Sequence, residues 1–175
     1  SSIQVGQMSK SIILIGPPGS GKSTIGKALA RKLQKTFADT DDVIELRTGT
    51  SISQIFVDQG EPWFRELEQT VLREELSKLD GVLALGGGAP LSQSAQKLLQ
   101  SVDAAVIYLS VSLATAAPRV GFNRDRPLLL NNPRAAWQEL MDKRRPIYEA
   151  LAHHIVIVDE RAPKDIVDEI VTLTQ

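Results

Sequence analysis

The chain has 175 residues, 42% of them hydrophobic, with 20 Lys+Arg against 21 Asp+Glu, a formal net charge of -1 and no Cys. That length fits one domain with a core large enough to need no covalent staple, and the lack of Cys excludes disulfide frameworks, Cys-based zinc sites and thiol nucleophiles. The balanced charge argues against a nucleic-acid partner, which draws on a basic excess, but it leaves room for a small anionic ligand held at one place.

Residues 1–10 are polar, lack the apolar core of a signal peptide and read as an unstructured or expression-derived lead. No apolar run approaches the roughly 18 residues of a membrane span, so no membrane partner is expected. Residues 12–15 form a short apolar, Ile-rich run that ends at Gly16, the pattern of a buried strand. From Ser23 the period changes: Ile25, Ala28, Leu29 and Leu33 fall at helical spacing, with Lys27, Arg31, Lys32 and Lys35 on the other side. A second strand is predicted over 36–40, then short helices over 43–48 and 53–59 parted by Gly49. Pro62 suits the first turn of a helix that carries Phe64, Leu67, Val71, Leu72 and Leu76 to about residue 79.

A third strand over 82–85 runs into Gly86-Gly87-Gly88, followed by a helix over 92–100, a strand over 104–110 and a helix over 114–120. Residues 121–133 lack periodicity and read as a mobile loop. Trp137, Leu140, Met141, Arg144, Ile147 and Leu151 share one helical face, with a kink expected at Pro146. A fifth strand (155–158) and an amphipathic helix (164–173) close the chain. Strands alternating with helices predict an α/β fold whose five-stranded parallel sheet is covered on both faces. In such sheets ligands gather at the carboxyl ends of the strands.

Gly16-Pro17-Pro18-Gly19-Ser20-Gly21-Lys22-Ser23 fits G-x-x-x-x-G-K-[ST], between a predicted strand and a predicted helix. Glycines let the backbone turn around phosphates, and successive N–H groups and the helix N-terminus then face the same charge. Lys22 would reach the β- and γ-phosphates of a nucleoside triphosphate, and the Ser23 hydroxyl would ligate Mg²⁺. In Asp39-Thr40-Asp41, both carboxylates point to one side if the segment stays extended; the alternative is an Asp-rich turn or helix cap, since Asp42 follows. Arg65 has Glu61 and Glu68 at helical neighbour positions, which fits either a ligand contact or a solvated ion-pair face. Three glycines at a strand end imply close approach of the backbone to something, or a plain turn. Arg144 shares the apolar stripe, so its guanidinium is expected to point inward, where it needs a partner. His153 and His154 have no partner at metal-ligand or triad spacing and read as structural.

Taken together, GPPGSGKST, ADTDDVIELRTGTSISQIF, GEPWFRELE, LGGGAPL, RDRPLL and KRRPIYEALA make the chain resemble the shikimate kinases from about residue 11 to 172. The resemblance implies a single domain over 11–175 with a three-layer, nucleoside-monophosphate-kinase-like P-loop fold and a lid at about 119–134. It implies a cytoplasmic monomer that transfers the γ-phosphate of ATP, with Mg²⁺, to the 3-hydroxyl of shikimate on the route to chorismate and the aromatic amino acids. Carried over by residue, Gly16, Gly19, Ser20, Gly21, Lys22, Ser23 and Thr24 would bind ATP, with Arg119 near the adenine. Ser23 and Asp39 would belong to the magnesium side. Asp41 would hold the substrate hydroxyls and act as base, with Lys22 and Arg126 completing the catalytic set and Arg126 reaching the transferring phosphate from the lid. Arg65 and Arg144 would clamp the shikimate carboxylate, with Gly86, Gly87 and Gly88 alongside and the Gly87 N–H as a further donor. Phe56, Phe64 and Pro90 are candidate pocket walls.

The chain departs from the family pattern in Pro118 before Arg119, which could bend the helix entering the lid; in the bulky Pro62-Trp63 pair; and in a short segment at 159–163. Two rivals stand beside this reading. One is another small-molecule P-loop kinase, such as a gluconate kinase, which would lack the two-arginine clamp. The other is a non-catalytic binding module, whose sign would be loss of Lys22, Asp41 or Arg144; all three are present.

Overall fold

The computed structural model describes residues 10–120 and 132–175. Most of the expected lead and of the expected lid, Arg126 included, lie outside the described residues. The elements run β1 (Ser11–Ile15), α1 (Lys22–Leu33), β2 (Thr36–Asp39), α2 (Thr40–Thr48), α3 (Ile52–Gln59), α4 (Glu61–Ser77), β3 (Gly81–Ala84), α5 (Gln93–Ser101), β4 (Ala104–Ser110), α6 (Leu113–Val120), α7 (Pro133–Leu151), β5 (His154–Ile157) and α8 (Pro163–Thr174). The five strands form one sheet in the order β2-β3-β1-β4-β5, and every neighbouring pair is parallel.

The strand sequences account for their places. β1, β3 and β4 are nearly continuous apolar runs, and they lie in the middle of the sheet with both faces covered. Ile12, Ile13, Leu14 and Ile15 are buried, and Ile13 pairs with Leu83 on one side and Val106 on the other. The edge strands are mixed, with β5 alternating between exposed Ile155 and Ile157 and the buried Val156. His153 extends the β4–β5 ladder: its N–H donates to the Val106 carbonyl, and its Nδ1 accepts from the Val106 N–H at 2.9 Å. The structural reading of that histidine therefore holds. The chain leaves β1 for the far edge β2, returns to β3, and crosses over to β4, so β1 sits where the connections change direction. That switch point opens the crevice at the carboxyl end of β1.

Most helix starts are set by short polar caps. Ser51, Ser92 and Asn132 each accept a hydrogen bond from the backbone N–H three residues on, an arrangement worth about 1 kcal/mol per helix. Two details differ from the sequence reading. The helix expected from 43 begins at Thr40, because Asp39 ends β2 and caps α2, accepting from the N–H groups of Asp41 and Asp42. Asp39 and Asp41 are thus not two residues of one extended strand; the cap alternative is the one realised. Both prolines expected to bend or kink a helix lie inside one: α6 runs through Pro118 and α7 through Pro146.

A second apolar cluster lies apart from the sheet core. Ile44, Ile52, Ile55, Phe64 and Val71 pack together beneath α2, α3 and α4. These helices lie on the β2–β3 side of the crevice.

Candidate active site

The phosphate loop follows β1 directly. Gly19 and Gly21 both have φ of 86°, in the left-handed region that glycine enters without cost. Gly21 is the N-cap of α1, so the helix presents its first N–H groups to the loop. The Lys22 ammonium lies across the loop and donates to the carbonyls of Gly16 (2.7 Å) and Pro17 (3.0 Å). Ser20 donates from its hydroxyl to Pro17 O at 2.9 Å, while Thr24 faces solvent at the start of α1. Two distant helices grip the same loop. Arg119 Nη1, from α6, donates to Gly19 O at 2.9 Å, and buried Trp137 Nε1, from α7, donates to Pro18 O at 3.0 Å.

Asp39 joins this loop to the start of α2. Its Oδ2 accepts from the Ser23 hydroxyl at 2.5 Å, and its Oδ1 accepts from the Asp41 N–H at 2.8 Å. A hydroxyl and a carboxylate side by side at a phosphate loop are the hard oxygen donors that Mg²⁺ takes alongside phosphate oxygens and water, so these residues fit that ion. Asp41 stands two residues further on, in the first turn of α2, half-buried, with its carboxylate against the backbone of Gly86. A Cβ added to Gly86 would lie 2.5 Å from Asp41 Oδ1. Beside it, a Cβ on Gly88 would lie 2.7 Å from Arg65 Cζ. Gly86 and Gly88 therefore do mark close approach, and what approaches is the pair of side chains singled out from sequence.

The glycine loop is fastened on its core side. Gly86 N–H donates to Thr40 Oγ1 at 2.9 Å, and the Gly87 carbonyl accepts from buried Tyr148 Oη at 2.7 Å. Ala89 O accepts from Gln69 Nε2 at 3.1 Å. Arg65 is held by two carboxylates, Glu68 at 2.9 Å and Glu61 at 3.3 Å. Glu68 is only 1% exposed, so the Arg65–Glu68 pair is no solvated surface contact. A buried carboxylate depends on its cation, and that dependence fixes the guanidinium beside Gly88 and 5.2 Å from the Phe64 ring centroid. Phe56 packs on Phe64 at 5.0 Å, which makes Phe64 mainly a member of the second core cluster.

Arg144 is 3% exposed, on the same α7 face as Trp137, Met141 and Tyr148. The inward orientation read from the stripe holds. On the other side of the loop, the turn between β4 and α6 is tied to the end of β5. Burial tends to raise the Asp159 carboxyl, but the Ser112 N–H and the hydroxyls of Ser112 and Thr115 outweigh it and hold Asp159 below its ordinary value. A carboxyl lowered in the fold contributes stability above its unfolded pKa and loses it as pH falls through the folded one, so this tie loosens in acid.

One connected path thus runs from Lys22 and Ser23 through Asp39 to Asp41, Gly86, Gly88 and Arg65, with α7 behind it. The sequence reading missed Thr40, Trp137 and Tyr148. Tyr148 stands four residues after Arg144 on the stripe, a spacing that could have exposed it.

A family model described as shikimate kinase matches residues 18–175. The shikimate kinase of Salinispora arenicola is 47% identical over 161 residues, covering 92% of this chain and 95% of its own length. Among solved structures, a shikimate kinase from Acinetobacter baumannii in complex with shikimate superposes with a TM-score of 0.90 at 34% identity, covering 97% of this chain and 95% of that one. A gluconokinase from Sinorhizobium meliloti shares the fold at a TM-score of 0.61 and 20% identity, over 96% of this chain and 93% of that one.

Proposed function

The chain belongs to the shikimate kinase family, and from that premise we propose how its residues divide the work of moving the γ-phosphate of ATP to the 3-hydroxyl of shikimate. Lys22 exchanges its loop carbonyls for the β- and γ-phosphates, and the N–H groups of the loop and of the first turn of α1 hold the remaining oxygens. Ser23 and Asp39 hold Mg²⁺, which when bound neutralises phosphate charge. Arg119 braces the loop at Gly19 and lies on the nucleotide side; Arg126, outside the described residues, completes the catalytic set from the lid. Thr24 borders the phosphates at the helix start.

Asp41 accepts a hydrogen bond from the acceptor hydroxyl and takes its proton as the new P–O bond forms. Arg65 and Arg144 orient the shikimate carboxylate from opposite sides, because a guanidinium fork matches a planar carboxylate. Gly86, Gly87 and Gly88 line the floor between them. Phosphoryl transfer needs mainly positioning and charge stabilisation, and these residues supply both. The observation that carries this reading is the packing of Asp41 against Gly86 and of Arg65 against Gly88, next to a phosphate loop that shares Asp39 with Asp41.

The working form taken with this reading is a cytoplasmic monomer. No helix among the described residues is long and apolar enough to cross a membrane.

The orientation is checked by the product. After incubation with ATP, Mg²⁺ and shikimate, phosphorus–proton correlation NMR should show the phosphate coupled to the proton on C3. Phosphate on another hydroxyl would overturn the placement of Asp41. ATP binding without any phosphorylated acceptor would support the non-catalytic module instead.

A further inference from the structure

The core-side fastening of the glycine loop leaves a specific pair of groups for the pocket. Gly86 N–H is taken by Thr40, Gly86 O by the Ala89 N–H at 3.0 Å, Gly87 O by Tyr148, and Gly88 O by the Leu91 N–H at 3.3 Å. Among the described residues, the Gly87 and Gly88 N–H groups donate to no backbone carbonyl. Two successive N–H groups in a turn make a concave anion site, and Arg65 lies against Gly88 at its rim.

The peptide between Gly87 and Gly88 is planar and trans, so its C=O and N–H point in opposite directions. Whatever holds the Gly87 carbonyl therefore aims the Gly88 N–H. That carbonyl is held from below by the Tyr148 hydroxyl at 2.7 Å in a buried setting. The Tyr148 ring is itself fixed, fully buried and packed on Tyr108 with centroids 5.2 Å apart. Tyr148 follows Arg144 by one helical turn on the same face of α7, so one rigid helix carries both the guanidinium and the hydroxyl that sets the facing amide.

We infer that Tyr148 is a positioning residue for the acceptor: its hydroxyl turns the Gly87–Gly88 peptide so that the Gly88 N–H joins the Gly87 N–H and the two arginines in holding the carboxylate. The inference rests on the acceptor site proposed above. Glycine is needed here both for the approach of Arg65 and because a flexible peptide must be oriented from outside. A Gly-Gly peptide has little conformational preference of its own, so between the tethers at Gly86 and Gly88 the Tyr148 hydrogen bond sets its direction.

The test is Tyr148→Phe, which removes one oxygen and keeps the ring. The KM for shikimate and for ATP, kcat and Tm are measured, and shikimate is compared with its methyl ester, which has the same ring and hydroxyls but no carboxylate charge. The expected result is a rise of roughly 5- to 20-fold in the KM for shikimate, little change in the KM for ATP, and a narrowed preference for the acid over the ester. A lower Tm with an unchanged KM for shikimate and an unchanged acid-to-ester preference would make Tyr148 merely structural and overturn the inference. A wild-type enzyme indifferent to esterification would instead remove the carboxylate site, and the role of Tyr148 with it.

Discussion

Replacing Asp41 with Asn is expected to lower kcat by about 10²-fold or more, the scale of a positioned proton acceptor, while ATP binding changes only a few-fold. The substitution is nearly isosteric. Asp41 sits in the first turn of α2, where its N–H donates to Asp39, and Asn keeps that backbone contact and the side-chain volume beside Gly86. What it loses is the capacity to take a proton from the acceptor hydroxyl. Lys22 bonds the loop carbonyls and Ser23 bonds Asp39, and the substitution leaves those bonds in place. Steady-state kinetics with both substrates, together with nucleotide titration, separate the two effects. A variant that keeps its kcat would remove Asp41 from the role of base.

Arg144→Ala is expected to raise the KM for shikimate by roughly 30-fold or more, because removing one member of a desolvated charge pair costs about 2–5 kcal/mol and each 1.4 kcal/mol is about tenfold. Arg144 is 3% exposed on α7, between Trp137 and Met141 on one side and Tyr148 on the other. The carboxylate it meets is therefore shielded from water, where charge-assisted hydrogen bonds are strongest. Trimming so large a buried side chain also lowers stability, so Arg144→Met is the matched variant that refills the space without the charge. Both should lose shikimate affinity and leave the KM for ATP within a few-fold. An unchanged KM for shikimate in a folded variant would take Arg144 out of the clamp.

The two halves of the site differ in how far they could be read from sequence. The phosphate loop is local: eight consecutive residues, a strand before and a helix after, with Lys22 on the loop carbonyls and Ser23 on Asp39. Arg144 was legible because a helix converts a seven-residue spacing from Trp137 into a shared face. The coarse order of strands and helices followed from the change between short apolar runs and helical periods, with boundaries shifted by a few residues where a cap intervened, as at Asp39.

The rest depends on contacts far apart along the chain. Tyr148 meets Gly87 across 61 residues, and Trp137 meets Pro18 across 119. No period or spacing carries such a contact. Glu68 was visible as the neighbour of Arg65, but its burial was not, because burial depends on tertiary packing that helical spacing does not carry. The second core cluster under α2, α3 and α4 was hidden for a similar reason. Its members, from Ile44 to Val71, are spread over three helices, and which faces meet is set by packing between them rather than by spacing within any one.

The most direct test of the whole account is ADP release by the wild-type enzyme with shikimate, gluconate and nucleoside monophosphates offered separately. The account predicts ATP turnover that depends on shikimate and is at background with the other acceptors. Turnover with gluconate and none with shikimate would contradict it.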